Sequence, residues 1–436
     1  MKQSEFKKRR KQLMQRIGIG NIALIDSASI RTRNRDVDYP FRQDSDFYYL
    51  TGFNEPDSLA VFIPGREQGE YILFCREFDE KKALWEGAHA GLEGATLHYD
   101  ADDAFPIADL DDILPGMLEG KTKVFYPMGR DSELDHSLLE WINHIRTQSR
   151  SGLIAPGELI SLDYILHEMR LFKSAAELKL MRRAAEVSAA GHVKAMQSCK
   201  AGLYEYQIEA ELIYHFIQNG LRAVAYPSIV ASGKNACTLH YTENTSKLKN
   251  GDLLLIDAGA ECDHYAADIT RTFPVSGRFS EPQKILYQLV LDAQTAAIEQ
   301  IQPGSSWIFP HDAAVEVITK GLVSLGLLKG RIKSLIKKEK YKPFYMHRTG
   351  HWLGMDVHDV GDYKINQEWR VFEAGMVLTV EPGIYIPADC KTVDEKWRGI
   401  GIRIEDDVLV TAQGHEILTS GVPKTITDIE ALMQVN

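Results

Sequence analysis

The sequence predicts an α+β protein of two domains, a smaller mixed α/β domain followed by a larger one of helix pairs and paired strands. Three observations carry this. The chain has 436 residues, beyond the size of one ordinary domain. Helix, helix and paired strands occur twice over in its second half, which suggests a duplication of structure without a sequence repeat. Between the halves lies the stretch from Gly152 to Ile165, with Pro156 and Gly157, and then Ser174-Ala175-Ala176-Glu177, a capping box opening a strongly helical run. The domains are therefore expected at 1–172 and 173–436.

The elements follow in order. A basic helix covers 4–17, with Lys7-Lys8-Arg9-Arg10-Lys11 as its solvated face and Phe6, Leu13 and Met14 turned inward. A strand at Ile22–Ile25 precedes a polar loop from Arg31 to Asp38 and an aromatic segment from Asp46 to Phe53. Strands are expected at 59–63, 71–75 and 123–126, and a helix at 133–147. The second half reads as helices at 175–199, 204–219, 281–301 and 311–326, with strands at 252–259, 267–274, 376–386 and 400–410. The lysine-rich stretch 329–342 is expected to be an exposed connection.

Composition narrows the function. Hydrophobic residues make up 44% and charged residues 25%, ordinary for a globular protein with packed cores. A formal charge of −11 argues against nucleic acid or an anionic membrane as partner. No apolar run approaches the roughly 20 residues of a membrane span, and the basic N-terminus lacks the apolar core of a secretory signal. Five scattered cysteines without a CxxC pair are expected to be reduced thiols in a cytoplasmic protein.

The chemistry concentrates near the C-terminus in Asp257, Asp268, His351, Glu381 and Glu405. Four carboxylate charges balance two divalent cations, and a neutral imidazole adds a ligand without adding charge. Asp257 ends the apolar run that begins at Leu253. Asp268 lies eleven positions on, so two antiparallel strands could set the aspartates side by side. Glu381 closes Val377-Leu378-Thr379-Val380 before Pro382-Gly383 turns the chain. In Ile400–Glu405 the isoleucines share one face and Gly401, Arg403 and Glu405 the other. Buried together without cations, such carboxylates repel one another, and Arg403 alone cannot neutralise them. The segment Met346–Gly361 adds His347, His351 and His358 among glycines, and spacing alone does not say which of them is a ligand. HExxH, GxSxG, P-loop and GxGxxG patterns are absent from the sequence.

These segments together resemble the creatinase and methionine aminopeptidase superfamily, with its pita-bread catalytic domain, in its bacterial aminopeptidase P branch. The carriers are Ile256–Gly259, Asp268–Phe273, His347–Gly361, Val380–Tyr385 and Gly401–Asp406, with Tyr39–Pro56 resembling the accessory N-terminal domain. The resemblance implies a metalloaminopeptidase that hydrolyses the bond before a proline at the second position, using a water bridging two divalent ions. The ions are expected to be two Mn2+, with Zn2+ or Co2+ as alternatives. In this assignment Asp257 chelates one ion, Asp268 and Glu405 bridge, His351 binds the other, and Glu381 completes its shell and acts as general base. His358 and His240 match histidines that bind substrate and stabilise the tetrahedral intermediate, and His347 matches one lining the proline pocket. Tyr385 and Arg403 are assigned to the substrate site, Arg403 pairing with Asp257. Trp85 and Asp36 are placed where they reach a neighbouring subunit's cleft, within a homotetramer or homodimer.

Two alternatives compete with this expectation. A prolidase, specific for Xaa-Pro dipeptides, shares the fold and the ligand set. A metal-free binding module of the same fold, or a metal-free enzyme such as creatinase, is disfavoured because all five ligand positions are retained.

Overall fold

The computed structural model describes residues 1–434. The chain forms two compact units, Met1–Met169 and Arg170–Asn436. Among the described residues no helix is long and apolar enough to cross a membrane.

The N-terminal unit is organised by a six-stranded sheet in the order 103–106, 71–75, 59–62, 22–26, 123–126 and 158–161. The three strands at 22–26, 59–62 and 71–75 pair antiparallel, and the flanking contacts are parallel. Ile22-Ala23-Leu24-Ile25, Leu59-Ala60-Val61-Phe62 and Tyr71-Ile72-Leu73-Phe74-Cys75 are buried along their whole length, as strands covered on both faces must be. Leu114, Leu118, Leu138, Trp141 and Ile142 pack on one of those faces.

Two details differ from the sequence expectation, and a third fills in what it left open. The helix Gln3–Ile17 does not present its whole basic run to water: Arg9 and Arg10 are each 2% exposed. Their guanidinium groups lie 4.0 Å from the Tyr49 ring centre and 4.4 Å from that of Tyr71, and donate to the carbonyls of Tyr49 and Leu50. A planar, weakly hydrated cation can be buried this way where lysine cannot, so only Lys7, Lys8 and Lys11 stay solvated. The polar stretch after Arg31 is a small hairpin, Thr32–Asn34 with Val37–Asp38, turning at Arg35 in the left-handed region. The aromatic segment is the helix Ser45–Thr51, capped by Asp44 and stopped by Gly52 at φ 66°.

The C-terminal unit repeats one arrangement. Helices Ala175–Ser198 and Glu205–Gln218 accompany the antiparallel sheet Ile229–Ser232, Leu253–Asp257 and Thr270–Pro274. Helices Glu281–Ile298 and Ile308–Ser324 accompany the sheet Val377–Val380, Asp406–Thr411 and Gly414–Ile417. The hairpin Gly383–Ile386 with Ile400–Arg403 lies beside them. Ser174 and Glu177 close a complete capping box, and the Gln283 side chain accepts from the Ser280 amide, so both repeats begin with a helix end that side chains help satisfy. One continuous core joins the repeats through Phe216, Ile256, Phe273, Leu286, Tyr345 and Ile402. Burying each such side chain contributes about 1.5–3 kcal/mol, which makes the strand ends a rigid frame for polar groups. The lysine-rich stretch keeps its lysines exposed but holds a short helix, Ile332–Lys337, pinned by buried Leu335.

Candidate metal centre

Asp257 ends its strand opposite Thr270, and the intervening hairpin folds back so tightly that Asp268 returns to its side. Gly259 permits this, because a Cβ there would stand 1.7 Å from the Ala267 carbonyl oxygen. Regular pairing resumes only at Thr270, so Asp268 sits in the connection rather than opening the strand. Its amide donates to the carboxylate of Asp407 at 3.1 Å. The Tyr226 hydroxyl faces Asp257 Oδ1 at 2.6 Å and Asp268 Oδ1 at 2.5 Å, and its one proton serves one carboxylate at a time.

From the second repeat come His351, Glu381 and Glu405. His351 lies between Gly350 and Trp352 in a segment laid against the strand Val377–Val380, the Thr379 amide donating to the His351 carbonyl and the His351 amide donating to the Thr379 hydroxyl. A Cβ on Gly350 would stand 2.0 Å from the Thr379 carbonyl oxygen, so only glycine allows this approach. The imidazole Nδ1 donates to the Trp352 carbonyl at 2.9 Å, turning Nε2 toward Asp268 Oδ2 at 3.5 Å and Glu381 Oε1 at 3.9 Å. One ring nitrogen tied to a carbonyl and the other aimed at carboxylates is the usual posture of a metal-binding histidine. Glu405 accepts from Thr270 Oγ1 at 2.6 Å, and Arg271 donates to its backbone carbonyl.

Asp268, His351 and Glu405 each place a ligand atom within 4.8 Å of the others. The donor set is oxygen and imidazole nitrogen without thiolate, which suits divalent cations of hard or borderline character. Asp257 and Glu381 flank this trio. All five line a cavity of about 1030 Å³, together with Tyr226, His240, His347, His358 and Arg403. A second cluster, Asp46, Asp163 and His167 in the N-terminal unit, is of another kind. Arg130 donates to Asp46 at 2.6 Å and to Asp163 at 3.0 Å, so a protein cation already occupies it.

The protein's own charges show how strained the acidic group is. Burial and the neighbouring carboxylates push Glu405 far above the ordinary carboxylate range. Burial pushes Glu381 up to about 7 even though His351 and Arg403 oppose the shift. Burial would lower His351, but its bond to Asp268 and the charges of Glu381 and Asp268 raise it to about 9. Arg403 is the other compensating cation. Its Nη2 donates to Asp257 Oδ2 at 2.7 Å, Nη1 to Tyr385 Oη at 3.0 Å and Nε to Thr270 Oγ1 at 3.1 Å. The Tyr385 hydroxyl then bonds His347 Nε2 at 2.9 Å, and His347 Nδ1 donates to the Arg348 carbonyl at 2.8 Å. Burial, with Arg403 adding to it, lowers His347 to about 3, so this imidazole stays neutral.

His358 stands edge-on to His351 with ring centres 4.4 Å apart, and it and His240 are exposed on the cavity wall. A buried carboxylate that the sequence did not flag organises the His240 loop. Glu205, fully buried on its helix, accepts from the Ser232 amide and hydroxyl, Asn235, the Tyr241 hydroxyl and the Ser246 amide. Asp359, beside His358, is likewise pinned by Lys173 at 2.9 Å and Arg170 at 2.6 Å. Tyr226, in the bend between the strands Ala223–Val224 and Ile229–Ser232, and Thr270 and Arg271, inside the segment Asp268–Phe273, carry no local mark that singles them out as site residues. Trp85 and Asp36 belong to the N-terminal unit, where both are exposed, and neither is among the residues lining the cavity.

Comparison with known proteins identifies the family of the chain. Residues 179–412 match metallopeptidase family M24, and residues 6–126 match the aminopeptidase P N-terminal domain. The chain is 43% identical over 430 residues to the Xaa-Pro aminopeptidase of Escherichia coli, covering 98% of this chain and 97% of that protein. The fold superimposes on aminopeptidase PepP of Pseudomonas aeruginosa with a TM-score of 0.98 at 57% identity, covering 100% of this chain and 98% of the other. A zinc-substituted aminopeptidase P of Escherichia coli in complex with product gives a TM-score of 0.96 at 42% identity, with 100% and 98% covered. With an acidic cluster framed by two repeated helix–sheet units and these matches along nearly its whole length, the chain belongs to metallopeptidase family M24, its pita-bread domain preceded by an aminopeptidase P-type N-terminal domain.

Proposed function

We propose that this protein is a metal-dependent Xaa-Pro aminopeptidase, releasing the first residue of peptides with proline at the second position. The observation that carries the reading is the convergence of Asp257, Asp268, His351, Glu381 and Glu405 on one cavity, with Arg403 and His351 as the protein's compensating cations. In this reading those five residues hold two divalent ions, Mn2+ in preference because the donors are mostly carboxylate oxygens. Bound there, the ions would supply Lewis acidity, lowering the pKa of a water and polarising the scissile carbonyl.

The chain's own residues do the rest. Glu381, whose carboxylate lines the same cavity, takes and returns a proton. His240 and His358, exposed on the wall, offer N–H donors to the oxygen on which charge develops. His347, kept neutral by burial with Arg403 adding to it and held by the Tyr385 hydroxyl, presents an imidazole face to the proline ring. Arg403 keeps Asp257 oriented. Assembly as a homotetramer or homodimer belongs to the same proposal, with Trp85 and Asp36 reaching a neighbouring subunit. Its support is that Trp85 is 87% exposed on the helix Glu80–Glu86, which has no buried residue. Five free cysteines support the expectation of a reducing, cytoplasmic setting.

The test compares Xaa-Pro-Yaa tripeptides, Xaa-Pro dipeptides and Xaa-Ala-Yaa controls, with elemental analysis of the purified protein and light scattering for its mass. Proline tripeptides should be cut, chelation should abolish this and manganese restore it. Cleavage of dipeptides alone would make the enzyme a prolidase. Equal cleavage of the alanine controls would overturn the proline assignment.

A further inference from the structure

The cavity holding the acidic cluster also carries two further basic side chains, with Asp362 lining it beside them. Arg348 and Lys364 both line it, beside Trp307, Tyr363 and Trp369. Both cations address one indole: Lys364 Nζ lies 4.5 Å and the Arg348 guanidinium carbon 5.8 Å from the Trp369 ring centre. Among the described residues no carboxylate is ion-paired with either of them. The arrangement is built rather than incidental. Lys364–Ile365 and Glu368–Trp369 form a hairpin whose register sets Lys364 directly across from Trp369. Asn366 and Gln367, at φ 50° and 71°, supply the left-handed pair that matches the twist of a two-residue turn.

Two like charges brought to one aromatic ring repel each other. The ring's negative face offsets part of that cost, and an anion seated between the cations offsets more. Charge also decides which part of a peptide meets these two cations. A substrate's N-terminal ammonium is drawn to the carboxylates and repelled by Arg348 and Lys364. Arg348 directly follows His347, so the basic pair continues from the side assigned above to the proline ring.

We propose that Arg348, Lys364 and Trp369 form a subsite for a carboxylate downstream of the substrate's proline, supplied by the C-terminus of a short peptide or by an acidic side chain. The indole holds the two cations apart and gives the downstream backbone an apolar surface. The proposal rests on the Xaa-Pro aminopeptidase reading and sharpens it into a substrate preference.

The experiment uses the manganese-loaded full chain and four substrates: Xaa-Pro-Ala as free acid, Xaa-Pro-Ala-amide, Xaa-Pro-Glu-amide and Xaa-Pro-Lys-amide. A carboxylate should raise kcat/KM about three- to tenfold over the alanine amide, through KM, as expected for an exposed charge-assisted contact. A gain with the free acid identifies the terminal carboxylate as the source, and a gain with the glutamyl amide identifies the side chain. Arg348→Ala and Lys364→Ala should each erase most of that gain while leaving the alanine amide within about twofold, and Lys364→Glu should shift preference toward the lysyl amide. Added salt should shrink the effect. Equal kcat/KM for all four amides and acids in the unsubstituted protein, or a preference unchanged in the variants, overturns the subsite. Failure to cleave any Xaa-Pro peptide overturns the functional reading itself, and the subsite falls with it.

Discussion

Replacing Arg403 with methionine probes the charge balance on which the site depends. The guanidinium is 4% exposed and bonded to Asp257, Tyr385 and Thr270, and methionine keeps much of its volume while removing charge and donors. Stripping one partner from a buried ion pair costs about 3–5 kcal/mol, because the remaining charge stays desolvated. Here the cavity admits water and Asp257 can take up a proton, so a loss of about 3 kcal/mol in chelator at pH 8 is the working figure. Manganese should cut that loss to about 1 kcal/mol or less, since divalent cations then supply the compensating charge.

The pH dependence carries a definite sign. Glu381 has its folded-state pKa raised to about 7, so its contribution is fully present below the ordinary glutamate value and is lost as pH rises through 7. His351, raised to about 9, contributes below its ordinary value and loses that contribution as pH rises through 9. Metal-free protein should therefore weaken steadily from about pH 5 to pH 9, and the Arg403→Met variant more steeply. The assay is urea unfolding followed by tryptophan fluorescence, with the transition of the C-terminal unit fitted on its own because two units need not unfold together. A stability loss that is the same at pH 5.5 and pH 8, and the same with and without manganese, would show that the guanidinium serves packing alone.

Three further outcomes are expected. Glu381→Gln should lower kcat by about two to four orders of magnitude with urea stability at pH 8 undiminished, and near-normal turnover with manganese present would remove its proton-transfer role. His351→Ala should weaken the binding of divalent ions, read by calorimetry, and two unchanged binding events would strike it from the ligand set. Glu205→Gln turns an amide toward either Tyr241 and Ser246 or Ser232 and Asn235, so about 2–4 kcal/mol of stability and a raised KM are expected. Unchanged KM in that variant would mean that the His240 loop holds its shape without the buried carboxylate.

Much of this chain was legible before folding. Apolar runs that stop at a carboxylate, as at Asp257 and Glu381, mark strand ends facing a polar space, because a sheet core tolerates no unpaired charge. The capping box at Ser174 and Glu177 announced the start of a long helix, since it satisfies otherwise orphaned amides through local geometry alone. The basic run at residues 7–11 misled. Helical spacing says which positions share a face, but not that Tyr49 and Tyr71, 40 and 61 residues away, lie where Arg9 and Arg10 can stack on them.

What local pattern determined was the kind of chemistry available: which residues carry charge, where strands stop, and where glycine frees the backbone. What tertiary structure decided was who meets whom. Tyr226 reaches two aspartates, Glu205 gathers donors from a loop up to 41 positions on, and Arg403 crosses 146 positions to Asp257. The physical reason is the range of the forces involved. Secondary structure answers to neighbours within a few residues, whereas a buried charge is stabilised by whatever partner the packed core happens to bring within bonding distance.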